Sequence, residues 1–328
     1  DVVVSHYPTA VNIIKKIKPD FYIKGKDYKN LKKYPSKNLK LEIKAIKKVG
    51  GKFIVLDTNL KSSTKILNEN FNYLDQDVNK FLKTIDKNKL AIKLKEIFFR
   101  TCNKKVLIIG EPIVDIYSNV KVLGKSQKSN IVSTNFVNNK KYGGGIILAS
   151  NFMNEFFNDV DIIAFSNNYN NKIFKKYLNR KINVKKVPSK NEKILEKKRF
   201  VDSYSSNKLF QVNENEKYRL SKNSENLYLK KLKKICKNYD QLVIFDYGYG
   251  CLFKKNIDFL NKFSKNLSIN CQANSSNFGY NLMSKYQSGD IAAVDEVEFR
   301  LIVQNKIDKI SFLIDHNKKL INKFKIFI

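Results

Sequence analysis

The chain has 328 residues, 42% of them hydrophobic, which exceeds one ordinary domain and predicts two cores. No apolar run approaches the ~20 residues of a membrane span, and no charged-then-apolar signal peptide opens the chain, so the sequence points to a soluble, cytoplasmic protein without a membrane partner. The formal charge of +33 comes from 58 Lys and only five Arg, spread along nearly every segment beside abundant Asn, Ile, Phe and Tyr; A- and T-rich codons generate that pattern, and without a recognition motif it predicts no specific nucleic-acid partner.

In chain order, "DVVVS" reads as a strand, "TAVNIIKKIK" as an amphipathic helix, "DFYIKG" as a strand, "LKLEIKAIKKVG" as a helix ending at Gly50, and "GKFIVLD" as another strand. Alternation of this kind predicts an α/β arrangement with parallel pairing. Two short signals follow strand ends: "KGKDY" from Lys24, and "SSTKI" from Ser62, at a predicted helix start. Hydroxyls and free backbone N–H groups at such a start make an anion site, although Ser62 could equally serve as a simple cap.

Taken together, "PDFYIKGKDY", the helix carrying Glu42, "VGGKFIVLD" and "SSTKILN" resemble the cytidylyltransferase-like nucleotidyltransferases, particularly the branch that activates heptose phosphates. The resemblance implies the C-terminal part of a Rossmann-like domain over residues 1–76. It implies Lys24 facing phosphate, and Ser62, Ser63 and Thr64 receiving the triphosphate of CTP or ATP. It also implies that an HxGH motif belongs before residue 1. Residues 69–100 show apolar positions at helical spacing with almost no Gly or Pro, and 77–103 are expected to be a helical connection.

At Lys104 the chain reads like a new beginning: "KKVLIIGEPIVDIY" is a buried strand feeding a carboxylate, Asp115. Next comes "NVKVLGKSQKSNIVSTNFVNNKK", whose polar–apolar alternation suits strands that leave a main sheet, and then "YGGGIILASN", a strand-to-helix turn. Downstream, "RFVDSY" and "LFQV" flank "SSN" as a hairpin. "YDQLVIFDYGYGCL" is a buried strand ending at Asp246. "GDIAAVDEVEFRL" is a strand ending in two acids, Asp295 and Glu298, which would also suit a helix start through the helix dipole.

These stretches resemble the ribokinase/PfkB sugar kinases over 104–328, with "DYGYG" closest to the heptose-kinase branch. The resemblance implies a ribokinase-like α/β/α domain with a small β lid that excludes water, and a homodimer through that lid. Asp115, Gly143, Gly144, Asn151 and Asp246 would bind the sugar, and Asp295 and Glu298 the ATP phosphates and Mg2+. Ile147 stands where the family has Asn, Asp295 replaces the N of N-x-x-E, and "CQANSSNFGYN" replaces D-P-K, leaving Gln272, Asn274 and Asn277 as a polar rim. The family's G-A-G-D base would lie beyond Ile328, so the resemblance implies a fragment that does not turn over by itself. The four cysteines lack C-x-x-C spacing and are expected to be reduced thiols.

The reading as a whole is a bifunctional sugar-activating enzyme for nucleotide-sugar biosynthesis: a kinase for a heptose-like sugar or sugar phosphate, joined to a nucleotidyltransferase. The alternatives are a kinase for another sugar with a CTP-using transferase, or a noncatalytic, nucleic-acid-binding relic of both folds.

Overall fold

The computed structural model describes residues 4–7, 9–25, 37–56, 76–214, 220–263 and 266–328. The chain divides into two units, Asp1–Leu90 and Ala91–Ile328.

In the first unit, helix α1 (Val11–Ile17), strand β1 (Phe21–Lys24), helix α2 (Lys37–Lys48) and strand β2 (Lys52–Val55) follow the expected order. β1 and β2 pair in parallel, Phe21 opposite Lys52 and Lys24 opposite Val55. Ile14, Ala45 and Ile46 form a small core against Tyr22 and Phe53. Of "DVVVS", Val4 and Ser5 lie in no strand, and residues 1–3 fall outside the described residues. Helices α3 (Gln76–Thr84) and α4 (Lys87–Thr101) occupy the expected helical connection, and the division between units falls within α4.

The second unit is built on strand β3 (Lys105–Gly110), whose Val106, Leu107, Ile108 and Ile109 are wholly buried. Side chains alternate across a strand, so Leu107 and Ile109 join one core and Val106 and Ile108 the other. Burial on both faces explains the unbroken apolar run, at about 1.5–3 kcal/mol for each large side chain. From β3 the chain enters a second sheet through β4 (Pro112–Lys125) and β5 (Val132–Gly145), then helix α5 (Ile146–Met153). Strand β6 (Asp159–Ser166), helix α6 (Asn168–Tyr177) and strand β7 (Asn183–Pro188) extend the main sheet, and β8 (Leu195–Asp202) and β9 (Lys208–Glu214) complete the second.

Helix α7 (Lys222–Ile235) leads to β10 (Gln241–Asp246), helix α8 (Lys254–Phe263), β11 (Leu267–Cys271), β12 (Gly289–Ala293), helices α9 (Glu296–Val303), α10 (Ile310–His316) and α11 (Lys318–Ile321), and β13 (Phe324–Phe327). The main sheet has seven strands in the order β13-β12-β11-β10-β3-β6-β7, every pair parallel. The second sheet has the order β5-β4-β8-β9, with β4 antiparallel to β5 and parallel to β8. The strands expected to leave the main sheet do so, and the expected hairpin is β8–β9. After β7 the chain crosses to the other side of β3, so the topological switch point lies between β3 and β10, where open α/β sheets bind ligands. All four cysteines are free, as expected.

Candidate active site

At the switch point β3 runs straight into Glu111, and β10 ends at Asp246 before a turn through Tyr247–Cys251. Gly248 and Gly250 have φ of +72° and +99°, a left-handed backbone that Gly adopts without steric cost. A Cβ on Gly248 would lie 2.2 Å from Asn277 Nδ2. The alternation turns every second amide the same way: Tyr247 N–H donates to Glu111 Oε2 at 3.0 Å, and the N–H groups of Tyr249 and Cys251 to Oε1 at 3.2 Å each. Backbone amides gathered like this make an anion-binding concavity, and here the chain's own carboxylate fills it. Glu111 is completely buried. Burial, reinforced by the charge of Asp246, pushes its carboxyl up to about 7 against the pull of the amides.

Asp246, expected to touch the sugar, is 1% exposed and serves the loop instead. Its Oδ1 accepts from Gly248 N–H at 3.0 Å and from Asn281 Nδ2 at 3.3 Å. Its Oδ2 accepts from Tyr286 Oη at 2.7 Å and is salt-bridged to Lys285 Nζ at 2.5 Å. The expected asparagine rim is likewise occupied. Asn274 and Asn277 both donate to the Tyr247 carbonyl, at 2.7 and 2.8 Å, which fills its two acceptor positions.

The groups that face outward come from the second sheet. Asp115 sits within β4 and not on a turn after β3, because β4 starts at once at Pro112. Its carboxylate is ion-paired with and hydrogen-bonded to the Arg199 guanidinium on β8. Gly144 on β5 lies so close that a Cβ there would come within 2.2 Å of Asp115 Oδ2, while one on Gly143 would meet Ile147 at 2.5 Å. In the parallel register Asp115 stands opposite Lys197, and Lys197 and Arg199 share a face by the two-residue period. The Lys197 side chain reaches the motif loop, its Nζ 4.7 Å from the centroid of Tyr249, which packs with Ile113, Leu195 and Tyr247. Lys197 is only 9% exposed, yet among the described residues no carboxylate pairs with it. A lysine whose stem is held in the fold while its ammonium still meets solvent, with no carboxylate paired to it among the described residues, offers a cation to an incoming anion.

At the end of β12, Asp295 and Glu298 form a capping box for α9: Glu298 N–H donates to Asp295 Oδ1 at 2.7 Å and Asp295 N–H to Glu298 Oε2 at 3.0 Å. Ala273 N–H donates to the other Glu298 oxygen at 3.0 Å, and burial holds the Glu298 carboxyl above its ordinary value. Among the described residues no group of three His, Cys, Asp or Glu could hold a metal ion by itself. Mg2+ asks less, one or two carboxylates with phosphate oxygens and water completing its shell. Asp295 fits that demand, being exposed and giving one oxygen to the cap, with Glu298 behind it.

Asn151 is not brought to this cluster: its Nδ2 donates to Tyr177 O and its Oδ1 accepts from Asn179 N–H, both at 2.8 Å, tying α5 to the end of α6. In the first unit Lys24 Nζ lies 3.7 Å from Glu42 Oε2, which also accepts from Tyr22 Oη at 2.9 Å. Ser62, Ser63 and Thr64 fall outside the described residues. Sequence reasoning missed Glu111, Lys197, Arg199 and Lys285. An acid directly after a strand-ending Gly was the available signal for Glu111; the lysines are lost among 58 of their kind.

No protein-family model and no curated protein matches the chain. Among solved structures it is similar to a carbohydrate kinase from Agrobacterium tumefaciens, at 14% identity over 61% of this chain and 63% of that one, with a TM-score of 0.43. It is similar also to a ribokinase from Giardia lamblia (16% identity, 69% and 67% covered, TM-score 0.47) and to phosphofructokinase-2 from Escherichia coli in complex with substrates and products (10%, 68% and 70%, 0.49). The chain spans less than two thirds of the Agrobacterium kinase's length.

Proposed function

We propose that the second unit is a sugar kinase that transfers a phosphoryl group from ATP to a sugar phosphate. The observation that carries the reading is the face shared by Asp115, Lys197 and Arg199, set against the loop at the sheet's switch point. There the carboxylate offers acceptors to sugar hydroxyls, the close approach of Gly144 keeps the floor open, and the unpaired Lys197 supplies a cation for a phosphate already on the substrate. The second sheet excludes water from the sugar, and phosphoryl transfer is dominated by such positioning and by charge stabilisation. Asp295, with Glu298 behind it, would hold Mg2+, which would draw charge off the transferred phosphoryl group.

Within this reading a heptose-like substrate rests on Asp246–Gly250, and nucleotidyl transfer by the first unit, from CTP or ATP to a sugar 1-phosphate, rests on Lys24 with Ser62, Ser63 and Thr64. The kinase part is tested by titrating the full chain with ribose, fructose, fructose 6-phosphate, sedoheptulose 7-phosphate and ATP, reading heat of binding and release of ADP. Saturable binding of at least one phosphorylated sugar is expected, and it should weaken in Asp115→Asn. A chain that binds ATP but no sugar, or a sugar with equal affinity in Asp115→Asn, refutes the reading.

A further inference from the structure

The "DYGYG" stretch and the acid after β3 are far apart in sequence, yet the fold winds one around the other. We propose that Glu111 is the positioning residue of the candidate site: its carboxyl group is the built-in acceptor around which the Tyr247–Cys251 loop is wound, and through that loop it sets Tyr247 against Ile113 and Leu195 and Tyr249 against Lys197. This builds on the kinase reading only for the identity of what binds over the loop.

Three observations carry it. Glu111 accepts the amides of alternate loop residues, 247, 249 and 251. Gly248 and Gly250, between those residues, are the two that adopt the left-handed backbone the gathering requires. And the side chains of two of the donor residues meet the second sheet, Tyr249 lying 2% exposed among Ile113 and Leu195 with Tyr247 packed beside them, while the third, Cys251, joins the core of the main sheet. The amide of Gln cannot take over: its carbonyl could accept from the Tyr249 and Cys251 N–H groups, but its NH2 would face the Tyr247 N–H with no lone pair to offer, whereas both oxygens of a carboxyl group keep lone pairs with or without its proton.

The charge state of Glu111 gives a signature that packing alone would lack. The groups facing it are Asp246, paired with Lys285; Tyr247 and Cys251 on the loop; and Tyr286 and Cys271 near Asp246. Burial pushes Tyr247 up to about 12 and holds Cys251, Cys271 and Tyr286 well above their ordinary values, so no thiol or phenol of the cluster titrates near neutrality. Glu111, pushed up to about 7, binds its proton more tightly in the closed loop than it would in water. The closed loop is therefore favoured in acid and progressively less as pH rises through about 7, on the order of tenfold in the opening constant between about pH 5.5 and 8.

The experiment is hydrogen–deuterium exchange of the peptide spanning 246–252 in the full chain, corrected for intrinsic chemistry, in wild type, Glu111→Gln and Glu111→Asp. In wild type, protection of this peptide should fall about tenfold from pH 5.5 to 8 while β3 and β10 stay protected. Glu111→Gln should exchange there at least about tenfold faster at pH 5.5 and show no pH dependence. Glu111→Asp, which keeps a titratable carboxyl one methylene short, should restore the pH dependence with intermediate protection. Unchanged loop exchange in Glu111→Gln, acceleration equal to that of β3 and β10, or a pH-independent wild-type loop would each overturn the proposal. Should Glu111→Gln fail to fold, the wild-type pH series decides alone. The second readout is binding: Glu111→Gln should weaken fructose 6-phosphate or sedoheptulose 7-phosphate at least tenfold and ATP less than about twofold. Equal sugar affinity with a loosened loop would overturn the positioning role. If wild type binds no sugar of the panel while the exchange pattern holds, the kinase reading falls and the loop's dependence on Glu111 stands.

Discussion

Replacing Asp115 by Ala should do more than remove a contact to a substrate, because its carboxylate is already engaged by Arg199. The two side chains are 22% and 20% exposed, between the solvated pairs that contribute about 0–1 kcal/mol and the buried pairs whose breaking costs about 3–5 kcal/mol. A charge-assisted hydrogen bond contributes about 1.5–3 kcal/mol. Water can reach the abandoned guanidinium, so the lower end applies, and Asp115→Ala is expected to destabilise the protein by about 1.5–2 kcal/mol. For a domain of some 200 residues that lowers the midpoint of thermal unfolding by roughly 3–8 °C. The assay is thermal and urea unfolding followed by circular dichroism, completed as a cycle with Arg199→Met. If the pair is the interaction lost, Arg199→Met should cost about 1 kcal/mol less in the Asp115→Ala background than in wild type. A single variant within 0.3 kcal/mol of wild type, together with an additive cycle, would refute the reasoning and leave Asp115 as a solvated acid.

Lys197→Met keeps the apolar stem and deletes the unpaired cation; it should weaken phosphorylated sugars about 10- to 100-fold and leave their neutral counterparts within about threefold, as calorimetry can establish. Gly144→Ala forces a methyl group against the Asp115 carboxylate, 2.2 Å away, and should cost sugar affinity while ATP binding persists; an unaltered sugar titration would show that the two strands separate freely. Stability should also report Glu111. Its folded value, about 7, lies above the ordinary 4.5, so the folded state binds the extra proton, and this group's contribution is full below about pH 4.5 and is lost as pH rises through about 7. Urea midpoints at pH 5.5 and 8 should therefore differ more in wild type than in Glu111→Gln, and equal differences would show that Glu111 does not titrate in this range.

Much of the architecture could be read from the residues in order. The unbroken apolar run at Val106–Ile109 announces a strand buried on both faces, alternation after Asn119 announces strands that leave the sheet, and the β8–β9 hairpin is written in the residues flanking "SSN". Each is a local property, set by the period of side chains along a strand and by the conformations that Gly, Ser and Asn allow at turns. The residues Asp246, Asn274 and Asn277 could be singled out as polar groups at strand ends, but which way they would face could not. Whether a carboxylate meets a ligand or a backbone amide depends on what the rest of the chain packs around it, and at Asp246 the Gly248 N–H and Lys285 arrive first. The same holds for Glu111, marked in the sequence only as an acid after a strand-ending Gly until β3 and β10 lie side by side, and for Lys197, one lysine among 58 until burial without a carboxylate partner among the described residues marks it. Sequence determined the elements because local sterics and periodicity act over a few residues; only the tertiary structure decided which charges are satisfied, because desolvation and pairing depend on neighbours distant in sequence, 84 residues away for Asp115 and 136 or more for Glu111.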